Sequence, residues 1–185
     1  NTPHYQYSVG YTGVDSSAGP GKLVFNIALN NVLVEHGTPT NTFPMDGSWH
    51  HIVATYNGTQ MRIFMDGIEK GTSKAATGSI TSFATPLCLG KFPNLGGDPK
   101  YYFGGLLDDV RILDRSLSQE EITQDSQASS KYPVRMNTTA WYTFDEFNRS
   151  SQNTVYDLSG LNNKGTAYNG AARTAVDGAA LSFHG

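Results

Sequence analysis

The strongest constraint on the fold is a stretch of alternating residues that two tight turns interrupt, Asn57-Gly58 and Asp66-Gly67. Before the first turn, in the run WHHIVATY, successive side chains fall on opposite faces of an extended chain. Residues 60–65, QMRIFM, continue the pattern as a returning strand. Both turns consist of residues that tolerate positive φ, as two-residue hairpin loops require. The segment therefore predicts a three-stranded meander.

Strand patterns of this kind extend over most of the chain. In KLVFNIAL, the residues Leu23, Phe25 and Ile27 share one face. The 20 glycines and 10 tyrosines suit many short strands joined by turns. One helix is predicted: it begins at Ser116 or Ser118, is followed by acids that meet the helix dipole, and ends near Gln127. We predict an all-β protein with one short helix.

Charge and hydropathy exclude two classes of partner. A net charge of −3 and a pI near 5.9 provide no basic field for nucleic acid. No apolar run approaches the roughly 20 residues that a membrane-spanning helix needs. The sequence predicts a soluble chain, already processed or part of a longer protein, with no membrane span and no nucleic-acid partner.

A family resemblance rests on four elements in order. They are the Trp-His-His strand, the Asp-Gly turn, the strand DDVRI and the helix LSQEEI, which lie within GSWHHIVATYNGTQMRIFMDGIEKGTS and FGGLLDDVRILDRSLSQEEI. Together with LCLGK between them, they resemble the laminin G-like, concanavalin A-like jelly-roll domains. The resemblance implies that residues 1–128 form an antiparallel two-sheet jelly-roll sandwich that lacks its opening strands.

The C-terminal part of this chain resembles the N-terminal part of domains in the same family. Residues 140–185 contain AWYTFDE, DLSGLNNKG and GAALSFHG, the family's opening parts, whereas residues 129–139 are predicted as a linker. A jelly roll without its first strands exposes unpaired edges. The tail therefore completes the same sandwich or begins the next repeat. The missing strands come from this chain, a neighbouring copy or a separate chain.

Calcium is the cofactor that the resemblance implies, because such domains often hold the ion between the opening loop and the closing strand. The candidate ligands are Asp157, Asn162 and Asn163 in the opening loop and Asp108 in the closing strand. Oxygen ligands of this kind suit calcium. One position departs from the family pattern: His184 stands where an Asp is common, and imidazole prefers softer metals.

Alternation supports Asp108 independently of the resemblance. It predicts that Asp108 shares a face with Leu106, Val110 and Ile112, where a lone carboxylate is costly. Asp108 therefore needs a partner. That partner is either a metal ion or an arginine or backbone amides, and the sequence leaves both open.

A sugar-binding rim is a further prediction. Aromatic rings that follow or face the Gly- and Pro-rich loop FPNLGGDPK stack well on pyranose rings. The candidates are Tyr11, Phe92, Asp98 and Tyr101. Core filling is the alternative for each aromatic residue.

Three Asn-x-Ser/Thr triplets, at Asn57, Asn137 and Asn148, are candidate glycosylation sites if the protein passes through a eukaryotic secretory route. The resemblance implies an extracellular or cell-surface location. It also implies a glycan or another extracellular protein as partner, besides a neighbouring repeat or copy.

Catalysis is not predicted. His50 and His51 are adjacent on a strand, face opposite ways and cannot converge on one metal ion. Glycoside hydrolysis needs two carboxylates across a cleft, and Asp108 and Asp109 are likewise predicted to point apart. We predict a non-enzymatic laminin G-like module for adhesion or structural assembly through strand complementation. The alternative is a carbohydrate-binding accessory module of a polysaccharide-degrading enzyme.

Overall fold

Two units, each assembled from two stretches of sequence, make up the fold. The computed structural model describes residues 5–13, 19–91, 102–128, 137–145, 154–168, 171–174 and 180–183. The first unit comprises residues 1–85 and 115–134, and the second comprises residues 86–114 and 135–185. Within the described ranges, no helix is long and apolar enough to cross a membrane.

Two antiparallel sheets form the first unit. Its strands are β1 (Tyr7–Tyr11), β2 (Leu23–Leu29), β3 (Val32–Gly37), β4 (Ile52–Tyr56), β5 (Gln60–Met65), β6 (Ile68–Glu69) and β7 (Lys74–Ala75). One sheet has the order β1-β2-β3; the other has the order β4-β5-β6, with β7 also paired to β5. The predicted meander is confirmed as β4-β5-β6, and in its second turn Asp66 and Gly67 both have positive φ. The first turn is shifted by one residue from the prediction, because Asn57 N–H bonds to Gln60 O and the loop consists of Gly58, at φ +94°, and Thr59.

The core of the first unit lies between these sheets. Alternate residues of β2 and β5 fill it: Leu23, Phe25, Ile27, Leu29, Met61, Ile63 and Met65. The predicted shared face of Leu23, Phe25 and Ile27 is confirmed. Each of these side chains is at least nine-tenths buried, so their transfer from water is a main source of the unit's stability.

The helix of the first unit, α1 (Gln119–Gln127), begins where the sequence predicts. Ser118 caps it: its Oγ accepts a hydrogen bond from the Glu121 backbone N–H, and the Glu121 carboxylate accepts one from the Ser118 N–H at 2.8 Å. The Arg115 guanidinium donates two bonds to the same carboxylate. Gln119 Nε2 donates to Gly67 O at 2.8 Å, which ties α1 to the β5–β6 turn.

The second unit combines strands from before and after α1. They are β8 (Gly105–Leu107), β9 (Val110–Leu113), β10 (Thr138–Tyr142), β11 (Thr154–Val155), β12 (Gly165–Thr166), β13 (Ala172–Thr174) and β14 (Ala180–Phe183). Antiparallel pairing gives the orders β10-β9, β11-β12 and β13-β14-β8. Its core contains Ala140, Tyr142, Phe144, Val155, Ala167 and Leu181.

Two segments depart from regular strand structure. Around PLCLGK the sequence has a strand-like pattern, but among its described residues only Lys91 forms a β-bridge, to Tyr102. The alternation predicted from Leu106 to Ile112 is broken, because Asp109 has φ +47°. A left-handed residue takes up one position without continuing the pleat. As a result Leu107, rather than Leu106, packs against the core beside Val110 and Ile112.

Candidate functional site

The Asp157 carboxylate organises the predicted opening loop of the second unit. Its Oδ1 accepts hydrogen bonds from the backbone N–H groups of Trp141 and Ser159, both at 2.9 Å. Its Oδ2 accepts from Ser159 Oγ and from the Asn163 N–H, both at 2.8 Å. Burial raises the pKa of Asp157, but these hydrogen bonds outweigh it and hold the pKa below its ordinary value.

The other loop candidates clamp the same segment to β10. Asn163 Nδ2 donates to Thr139 O at 2.8 Å, and the Asn163 carbonyl accepts from the Tyr142 hydroxyl at 2.7 Å. Asn162 has φ +61°, a conformation that asparagine tolerates better than most residues. The structure therefore brings Asp157, Asn162 and Asn163 together in one loop, with the oxygens of Asp157 and Asn163 bonded to protein donors.

Asp108 lies between β8 and β9. Its Oδ1 accepts a hydrogen bond from the Asp109 N–H at 2.8 Å, which supports the left-handed turn there. This is the backbone-amide role that the sequence left open as one alternative. The predicted inner-face position shared with Leu106 is wrong, because the alternation shifts at Asp109.

These residues do not fit a calcium ion bound through Asp157. Two donors point at each of its oxygens, so a cation would have to displace N–H and O–H groups that compensate the negative charge. In the part of the chain that is described, no group of three or more His, Cys, Asp or Glu side chains is arranged to hold a metal. Calcium binding stays a prediction.

Two histidines immediately before β4, outside the strand that the sequence predicted for them, pair with different carboxylates. His50 lies between Asp66, at 2.8 Å from Nδ1, and Asp46, at 3.2 Å from Nε2. His51 Nε2 is 3.4 Å from Oδ2 of the buried Asp125 in α1. The sequence predicts that the two histidines diverge, and these partners agree. It misses the three aspartates, since they are distant in sequence or lie in a loop.

A polar groove of about 480 Å³ lies in the first unit, at the end of β3. It is lined by Glu35, His36, Gly37, Thr38, Pro39, Gly71, Thr72, Ser73 and Lys74. His36 is buried, and its Nε2 has no hydrogen-bond partner in the protein. Burial lowers the pKa of His36, with a further contribution from Lys74, so the ring is neutral at pH 7. The sequence did not indicate this groove.

The predicted sugar-binding rim is only partly described. Tyr11, at the end of β1, packs against the core of the first unit, and its ring centroid is 5.3 Å from that of Phe43. Phe92, Asp98 and Tyr101 lie outside the described residues. The rim stays a prediction.

The glycosylation candidates occupy different settings. Asn57 is exposed in the β4–β5 turn, where its Oδ1 accepts from the N–H groups of Thr59 and Gln60. Asn137 is exposed just before β10, with φ +63°. Asn148 lies outside the described residues. Modification of these residues stays a prediction.

Comparison with known proteins places this fold in a family. The laminin G-like model of the concanavalin A-like lectin/glucanases superfamily matches residues 5–123, and the chain belongs to this family. The predicted family and the all-β sandwich fold with one short helix are thus confirmed.

Two individual proteins show local similarity. Pappalysin-1 of Mus musculus is 32% identical over 84 residues, which are 45% of this chain and 5% of that protein. The chain thus spans a small part of this relative's length. An S-layer domain-containing protein from Clostridium thermocellum ATCC 27405 aligns with a TM-score of 0.40 and 23% identity, over 58% of this chain and 52% of that chain. A likeness at this level supports no argument about function.

Proposed function

We propose that this chain is a non-catalytic laminin G-like module of an extracellular or surface protein, which acts in adhesion or structural assembly through strand complementation. One observation supports this proposal. The strands β8 and β9 lie inside the family match, whereas their hydrogen-bonding neighbours, β14 and β10, lie outside it.

The pairing gives β8 and β9 hydrogen-bonded neighbouring strands and also contributes a residue to the core of the second unit. In register, β10 places Trp141 opposite Arg111, and β14 places Leu181 opposite Leu107. Leu181 belongs to the buried cluster against which Leu107 packs. Without the tail, β8 and β9 would lose their described strand partners and this apolar contact, which favours association with another strand.

The tail of a neighbouring copy or repeat offers the same strands. We propose that the bonds made here within one chain are also made between chains, as in other strand-donating assemblies. The partner is then a second copy of this chain or an adjacent laminin G-like repeat. The predicted linker overlaps the start of β10 at Thr138, so the stretch between α1 and β10 would set how far the tail reaches.

Cysteine pairing tests the proposal. Leu106 lies opposite Ser182, so the double variant L106C/S182C, in a C88S background, should form a disulfide within one chain. L106C/T174C is the matched control, because Thr174 lies on β13, which pairs with β14. Failure of the first pair to oxidise faster than the control would refute the strand pairing.

A mixing experiment then tests assembly. Singly substituted chains, L106C and S182C, one of them tagged, are mixed and oxidised across a concentration series. We expect tagged heterodimers that become more abundant with concentration, and none from L106C mixed with T174C. If heterodimers are absent at every concentration, and light scattering gives only monomers, assembly between copies is wrong although pairing within the chain stands.

The non-catalytic part of the proposal is supported by how acidic side chains are used. Asp157 is held by amides and a hydroxyl, and Glu121 is held by Arg115. Carboxylates engaged in this way are not poised as a general acid and base. The purified chain should release no reducing sugar from a panel of polysaccharides, and reproducible release that survives repurification would contradict this view.

A carbohydrate-binding accessory module is the second candidate. The groove beside His36 favours it, because its lining includes Glu35, Thr72 and Lys74, whose carboxylate, hydroxyl and ammonium groups can hydrogen-bond to sugar hydroxyls. A glycan array probed with the isolated chain tests this function. Specific binding that H36F or T72A reduces, and that the exposed-site control E120Q leaves unchanged, supports the groove; no binding to any glycan refutes it.

A further inference from the structure

The imidazole of His50 lies between two carboxylates that belong to different segments. Its Nδ1 is 2.8 Å from Asp66 Oδ2, in the β5–β6 turn, and its Nε2 is 3.2 Å from Asp46 Oδ1, in the loop before β4. The His50 side chain is 13% exposed, whereas those of Asp46 and Asp66 are nearly half exposed. The ring is therefore the less exposed centre of a three-residue bridge.

A neutral imidazole cannot make both contacts. It carries one N–H, so one ring nitrogen would present a lone pair to a carboxylate oxygen, which is repulsive. Only the imidazolium form donates from both nitrogens. We propose that His50 is a proton-controlled latch for the segment 44–49: the protonated ring holds the segment against the β5–β6 turn, and loss of the proton releases it.

Asp46, rather than Asp66, is the carboxylate that separates from His50 when the ring loses its proton. Asp66 has a second tie, because its Oδ1 accepts the His51 N–H at 2.9 Å, and its N–H bonds to the His51 carbonyl. Among the described residues, the other tie of Asp46 Oδ1 besides His50 is a local one, from the Ser48 N–H at 2.9 Å. That bond lies within the segment and can move with it.

The latched segment is strained and exposed. Met45 has φ +50°, a left-handed conformation that is uncommon for a residue with a long side chain, and Gly47 has φ +78°. Met45 and Trp49 are each about 40% exposed. Release of Asp46 therefore frees a strained backbone and changes the surroundings of the Trp49 indole.

The surroundings of His50 support the direction of the switch. The hydrogen bond that His50 donates to Asp66 raises the pKa of His50, burial opposes it, and the hydrogen bond to Asp46 raises it further. The other described neighbours are the Phe43 ring, at 5.7 Å, and His51, whose own side chain pairs with Asp125. The pKa values of Asp46 and Asp66 are lowered.

The latch is therefore fully closed below the ordinary histidine pKa and opens as pH rises through the raised pKa of His50. On the acid side it holds until the two carboxylates take up protons, below their ordinary range. It is closed in mildly acidic solution.

NMR spectroscopy of the ¹⁵N-labelled 185-residue chain tests the latch. Long-range ¹H–¹⁵N spectra between pH 5 and 9 report both ring nitrogens of His50, and the Trp49 indole N–H, assigned with W49F, reports the segment. We expect both ring nitrogens to be protonated in mild acid. The Trp49 resonance should move with the same midpoint as His50.

Two variants separate the latch from other effects. D46A should lower the His50 midpoint and hold the Trp49 resonance at its high-pH position throughout. E120Q, which removes an exposed carboxylate of α1, should change neither. A Trp49 resonance without an inflection at the His50 midpoint, or one that keeps the inflection in D46A, would overturn the proposal.

Discussion

Replacing Asp157 with Ala removes four hydrogen bonds at once and leaves their donors in place. The donors are three backbone N–H groups, from Trp141, Ser159 and Asn163, and the Ser159 hydroxyl. Trp141 lies in β10 and is 5% exposed, so its amide is poorly placed to find water instead. We expect the second unit to lose stability through both the loop and the strand.

The size of the stability loss in D157A follows from the exposure of these groups. A bond to a buried charged group contributes about 1.5–3 kcal/mol, and a typical bond about 0.5–1.5 kcal/mol. Asp157 is partly exposed and the loop can relax, so about 0.5–1 kcal/mol for each bond is reasonable, or about 2–4 kcal/mol in all. For a chain of 185 residues this corresponds to a fall in Tm of roughly 4–16 °C.

Asp157→Asn should cost less than D157A. Its amide oxygen can still accept from Trp141 and Ser159, and the serine hydroxyl can rotate to accept from the new NH₂ group. The Asn163 N–H cannot rotate and would face another donor. We therefore expect a loss of about 1–2 kcal/mol, equivalent to one unsatisfied donor.

Urea denaturation in a W49F background is the suitable assay, because Trp141 then reports the second unit alone. Wild type, D157N and D157A should unfold in that order of decreasing midpoint, with chelator and with calcium alike. Equal midpoints for wild type and D157A would refute the hydrogen-bond argument. A wild-type midpoint that falls in chelator and recovers with calcium, with no such response in D157A, would show that Asp157 contributes to a metal site.

Three further predictions concern the first unit. Ser118→Ala removes the helix cap and should cost about 1 kcal/mol in urea denaturation, whereas S118D should retain most of the stability. The pKa of Glu121 is lowered to about 2 by Arg115, so the stability it contributes is present above its ordinary pKa of 4.5 and is lost as pH falls toward 2; E121Q should flatten that part of the Tm profile. Phe64→Ala should cost about 3–5 kcal/mol, because Phe64 is 2% exposed, and F64L should cost much less; a loss below 1 kcal/mol would contradict its burial.

Local patterns in the sequence predicted the elements that depend on neighbouring residues. Alternation in Leu23, Phe25 and Ile27 predicted the core face, because every second residue of a strand faces the same way. A serine at 116 or 118 followed by Glu120 and Glu121 predicted the helix start, since caps and first-turn acids lie within one turn, and the structure selects Ser118 as the cap. The residues that form each of these two patterns all lie within one helical turn or one strand.

The features that the sequence missed depend on distant contacts or on a single dihedral angle. Asp109 adopts φ +47°, and this one residue shifts the alternation on which the position of Asp108 was predicted. His50 meets Asp66 only because β4 and β5 pair. The groove at His36 combines residues from two segments, which no local pattern relates.

The strands β8 and β9 are neighbours in sequence, but each takes its partner from much later in the chain. Leu107 pairs with Leu181, and Val110 with Tyr142, so closure of these ladders requires long loops to come together first. During synthesis β8 and β9 leave the ribosome well before β10 and β14. Until β10 and β14 are available, the unpaired edges of β8 and β9 can hydrogen-bond to the wrong strand. The folding rate of this unit is set by its slowest long-range pairing.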